Sequence, residues 1–98
     1  MLINEQEYKV LLIDDKSIGL ANSQVLRQNI ENELKAGNKN IALDFISLNS
    51  INSAGLGVLI GILKNVKESN GSLKLLNLND RVLNIFKITK LDTLFDIN

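Results

Sequence analysis

At 98 residues the chain has room for one domain, and with 45% hydrophobic residues it can bury a core without metal or disulfide staples. It contains no Cys and no His, which removes disulfides, most zinc sites and the usual nucleophile–base pairs of catalysis. Eleven Lys and Arg balance eleven Asp and Glu, so the basic excess of a nucleic-acid-binding surface is missing.

The first ten residues lack the basic start and apolar run of a signal peptide, which sets the expectation of a cytoplasmic protein. Residues 1–4 read as a short edge strand, joined through the polar turn 5–7 to a strand over 8–14 (YKVLLID). A helix follows, with Asn22 or Ser23 able to cap it. Leu26, Ile30 and Leu34 recur every fourth residue and form its inward face, flanked by Val25. Arg27, Gln28, Glu31 and Lys35 face water, and Gly37 ends the helix. Residues 39–45 (KNIALDF) alternate as a strand does, with Ile41, Leu43 and Phe45 on one face. A polar loop, 46–52, leads into a second helix over 53–69 that stops at Asn70-Gly71. Residues 72–78 (SLKLLNL) form another strand. Asn79 or Asp80 caps a third helix through residue 88, with Val82, Leu83 and Phe86 apolar, and 91–97 forms a short helix or an edge segment. Helices alternating with strands imply right-handed crossovers and a parallel sheet, which an N-terminal hairpin would make mixed.

The stretch 45–63 is nearly uncharged, but Ser47, Asn49, Ser50, Asn52, Ser53 and three glycines within it speak against a membrane span. It reads instead as a strand end, a loop and a buried helix. Ser53 stands where the loop passes into that helix, so its hydroxyl is expected at the N-cap. The first-turn amides point there, and the helix dipole places about half a positive charge at the same spot. No acid follows until Glu68. A phosphate on Ser53 would add roughly −1.5 to −2 charges where the fold can accommodate them and a docked partner cannot. The plainer reading is a serine that only caps a helix.

Gly57 and Gly61, four apart, are expected to let this helix pack closely on the sheet, and their spacing is not that of a dinucleotide fingerprint. Leu56, Leu59 or Ile60, Leu63 and Val66 give a core face, while Val58 and Ile62 fall to another side. Such a helix is either wholly buried or partly open to a partner. The acids Asp14-Asp15 sit at a strand end, where magnesium sites occur in α/β folds, but no further acid clusters with them. No metal or other cofactor is expected. The four aromatics, Tyr8, Phe45, Phe86 and Phe95, do not interleave with Lys or Arg as a base-stacking platform would.

The octapeptide Asn52-Ser53-Ala54-Gly55-Leu56-Gly57-Val58-Leu59, after a strand and a polar loop, closely resembles the signature of STAS domains, in particular bacterial anti-sigma factor antagonists. The resemblance spans the whole chain, residues 1–98, as one STAS domain. It implies an α/β fold: a mixed, mostly parallel sheet of four or five strands with helices packed against it. It implies a non-enzymatic partner switch. The unphosphorylated protein would bind an anti-sigma factor that is also a serine kinase, be released by phosphorylation at Ser53, and be restored by a serine phosphatase. Gly19, Leu20, Asn52, Ala54, Gly55, Leu56 and Val58 would supply the partner-facing surface. Two departures bear on this. Asn52 replaces the usual Asp beside the acceptor, and Gly19 stands near where the family carries an acid on the preceding loop. They motivate an alternative, a non-phosphorylated STAS scaffold subunit of a lipid-transport or stress-signalling complex. The sequence leaves the oligomeric state open.

Overall fold

The computed structural model describes residues 1–13, 17–18 and 20–97, without the side chains of 17–18 and 20–23. The Asp14-Asp15 pair and Gly19 therefore lie outside the described residues. The chain opens with a hairpin in which β1 (Leu2–Ile3) and β2 (Gln6–Glu7) pair antiparallel. Its turn places Asn4 and Glu5 at positive φ. Then come β3 (Lys9–Leu12), β4 (Ser17–Ile18), α1 (Leu20–Lys35), β5 (Asn40–Asp44), β6 (Ser50–Ile51) and α2 (Ser53–Glu68). The remainder is β7 (Ser72–Leu76), α3 (Asp80–Ile88), a 3₁₀ turn (Leu91–Thr93) and β8 (Asp96–Ile97). The main sheet has the order β3-β5-β7-β8 and every pairing in it is parallel. The antiparallel component stands apart in the hairpin. The segment 91–97 supplies both a turn of helix and the edge strand.

The period-two pattern of β5 works as the sequence suggests. Ile41, Leu43 and Phe45 are fully buried on the face that meets the helices. Ile30 of α1, Leu59 and Val66 of α2, and Val82 and Phe86 of α3 join them in one cluster with Leu73 and Leu75 of β7. Burial of each large apolar side chain contributes about 1.5–3 kcal/mol, so this cluster carries most of the fold. Phe86 meets Phe95 edge to face at 5.5 Å, which fastens the C-terminal segment to α3.

The opposite face of the sheet is covered by the hairpin, where Ile3 and Tyr8 pack on Ala42 and Leu76. Lys74 of β7 also belongs to this face and is 5% exposed, an unusual depth for a lysine. Its ammonium pairs with Asp96 of β8 and lies 5.7 Å from the centre of the Tyr8 ring. The Tyr8 hydroxyl donates to Ser72 Oγ at 2.8 Å.

Several local expectations need correction. Helix α1 begins at Leu20, so Asn22 and Ser23 lie in its first turn and do not precede it. Leu20 and Ala21 are strong helix formers and carry the helix two residues further back. Val25 is exposed, whereas Arg27 is half-buried, its guanidinium lying against α2. Ile62 is fully buried, not set to a second side, because α2 packs against α1 as well as the sheet and its buried arc is wide. Gly61 faces Arg27, 3.8 Å from where a Cβ would stand, and Gly57 faces open space, so neither glycine serves packing on the sheet. The glycine that does permit a close approach is Gly71, where a Cβ would stand 2.1 Å from the Lys39 carbonyl oxygen.

Candidate functional site

The loop between β5 and α2 is held at several points before the chain turns into the helix. Asp44 Oδ1 accepts from the Ile46 amide and from Asn77 Nδ2, both at 3.0 Å. Leu48 is fully buried, and its carbonyl accepts from Asn79 Nδ2 at 3.0 Å. Asn79 also caps α3, its Oδ1 accepting from the Val82 amide at 2.8 Å. The same side chain thus fixes the third helix and the loop that leads into the second.

Two short parallel bridges then set the position of α2. Ser17 pairs with Ser50 and Ile18 with Ile51. The segment leading to α1 therefore runs beside the segment leading to α2, and both helices start from the same end of the molecule.

The N-cap of α2 is Asn52, not Ser53. Asn52 has extended backbone angles (φ −100°, ψ 177°), and its Oδ1 accepts from the Gly55 amide at 2.8 Å. The first intrahelical bond runs from the Leu56 amide to the Asn52 carbonyl at 3.0 Å. Ser53 is thus the first residue of the helix itself. Either residue type can cap; β6 ends at Ile51, which leaves Asn52 in the extended conformation that a cap requires.

The consequence for chemistry is direct. With Asn52 capping, the Ser53 hydroxyl is not needed to start the helix, and Ser53 is exposed. The amides of Ser53 and Ala54 have no partner within the helix, and no acid stands in the first turn. An anion attached to Ser53 would find two donors without a partner among the described residues and the positive end of the dipole.

The remaining expected site residues divide by burial. Asn52 and Ala54 are exposed beside Ser53, and Val58 is half-buried against the core. Gly55 and Leu56 are buried and support the exposed residues from beneath. Leu20 is the first residue of α1, placed by its backbone alone. Sequence reasoning missed two contributors, Asn79 and the β4–β6 bridges. Asn79 carried a signal as a cap, but its second bond, to a loop carbonyl far back in the chain, had none.

Among the described residues no group of three or more His, Cys, Asp or Glu could hold a metal, and no helix is long and apolar enough to cross a membrane.

Comparison with known proteins gives a consistent picture. The model of the STAS domain family matches residues 5–98. The chain is 33% identical over 95 residues to the anti-sigma-B factor antagonist of Bacillus subtilis, covering 97% of this chain and 84% of that protein. The crystal structure of the Thermotoga maritima protein TM1081 superposes with a TM-score of 0.77 at 28% identity, covering 90% of this chain and 77% of that one. The phosphorylated form of the Bacillus protein SpoIIAA matches with a TM-score of 0.67 at 19% identity, covering 91% and 80% of the two chains, a likeness of fold.

Proposed function

Since the chain belongs to the STAS domain family, we propose that it is an anti-sigma factor antagonist whose hold on its partner is controlled by phosphorylation of Ser53. The observation that carries this reading is the exposed Ser53 at the first position of α2, free of the capping role and next to two amides without a partner in the helix. In the unmodified state Asn52, Ser53 and Ala54 offer a small, uncharged contact surface to an anti-sigma factor. That partner, acting as a serine kinase, transfers the γ-phosphoryl group of ATP to the Ser53 oxygen and releases ADP and a proton. The ester brings roughly −1.5 to −2 charges to a surface that was neutral. The domain tolerates it through the helix dipole and the Ser53 and Ala54 amides. A partner packed over the same spot meets a hydrated anion and leaves. A serine phosphatase hydrolyses the ester and restores the hydroxyl.

Asn52 fits this reading without the acid that the family usually carries there. Its Oδ1 makes the capping bond to Gly55 that an Asp oxygen would make, and it adds no charge to repel the phosphate. The test is the intact mass of the protein purified from its own cells, with fragment mapping, beside binding of purified anti-sigma factor kinases of the same organism. The expected result is a phosphate on Ser53, absent in Ser53→Ala, and loss of binding in Ser53→Asp with thermal stability retained. An unmodified protein in growth and in stress, together with full binding by Ser53→Asp, would leave a constitutive scaffold in its place.

A further inference from the structure

Nothing among the described residues accounts for Gly57. Its backbone is not in the left-handed region, and no described atom beyond its own stretch of helix backbone and its chain neighbours lies within 4 Å of where a Cβ would stand. A glycine within a helix lowers its stability relative to alanine, so this one is held at a cost without an internal return. Other glycines differ: Gly55 is buried within the same helix. Gly61 sits under the Arg27 guanidinium, and Gly71 meets the Lys39 backbone.

The surroundings of Gly57 explain what the gap is for. Ser53, Gly57, Ile60 and Lys64 follow the spacing of one line along a helix, and all four are exposed. Ile60 is a large apolar side chain left 39% exposed. Lys64 and the neighbouring Lys67 make no ion pair with a described residue. The line therefore runs from the Ser53 hydroxyl, over a notch, past an apolar side chain, to cations that pair with no described acid.

We propose that this line seats an α-helix of the anti-sigma factor, lying along α2, with an apolar residue over Gly57 and against Ile60 and an acidic residue at Lys64. Spacing of this kind is what ridge-into-groove packing of two helices uses, and a position without a side chain brings the axes closer. The charges at Lys64 and Lys67 fix which end of the partner helix carries acid. The inference rests on the antagonist reading and extends its surface from the start of α2 along nearly three turns.

The test compares Gly57→Ala with Gly61→Ala by thermal unfolding and by titration with the purified anti-sigma factor that binds the wild type. Both substitutions are expected to raise the melting temperature by a few degrees, since both remove a helical glycine without a clash. Only Gly57→Ala should weaken binding, by about tenfold or more, because it fills the notch. Lys64→Glu should also weaken it, and added salt should narrow the difference from wild type. Wild-type binding by Gly57→Ala, alongside loss in Ser53→Asp, would overturn the docking line and leave the switch standing. If no anti-sigma factor binds the wild type, the antagonist reading falls and the docking line with it.

Discussion

Asn52 and Ser53 are both cap-forming types, and the fold gives the cap to Asn52 and the exposed first helical position to Ser53. Asn52→Ala should destabilise the domain by about 0.5–2 kcal/mol, whereas Asn52→Asp should keep the bond to Gly55 and most of the stability; urea unfolding of the two variants checks this. Composition alone did not choose between the two neighbours, because the choice depends on where β6 stops. That point is set by pairing with a strand from the other side of α1. Gly71 is a sharper case. Gly71→Ala places a methyl group against the Lys39 backbone and should cost about 1–3 kcal/mol, read as a lower urea midpoint at unchanged slope. The sequence marked Asn70-Gly71 as a helix stop, but the close approach needs β5 and α2 to be in place together.

At the scale of elements, strands and helices with a clear period were legible. The alternation in β5 and the four-residue spacing in α1 fixed which faces turn inward, because a half-exposed element shows its geometry in its polar residues. Helix α2 resisted the same reading. Its residues 56–63 are apolar apart from two glycines, so no polar stripe indicated which way it faced. Packing on two neighbours buries Leu59, Ile62 and Val66 alike. Ile62→Ala should therefore cost about 2–5 kcal/mol in chemical unfolding. Ile60→Ala, on the exposed line, should cost well under that and within about 0.5–1 kcal/mol. The two-residue strands were beyond reach from sequence for the opposite reason. Ser17–Ile18 and Ser50–Ile51 are too short to have a period, and only their mutual pairing defines them.

At the scale of the whole molecule, all three helices feed one cluster on one face of the sheet, and a single hairpin covers the other. The buried Lys74 ties that second face together, through Asp96 to the last strand and across the Tyr8 ring to the first residues. Nothing in SLKLLNL distinguished Lys74 from a solvated lysine. Removing one partner of such a pair leaves a buried charge, whereas removing the buried charge itself does not. Asp96→Ala should accordingly destabilise the protein more than Lys74→Met, an order that parallel denaturant melts would reveal. The bridges between β4 and β6 carry a consequence of another kind, one of timing. They join segments on opposite sides of α1, so the entropy of closing that loop must be met before they form. The end of the molecule that presents Ser53 is thus completed late in folding. Changes there should quicken unfolding and leave the folding rate nearly untouched. On the proposed reading, a half-made chain has no acceptor in place to offer, and only a finished domain could be switched.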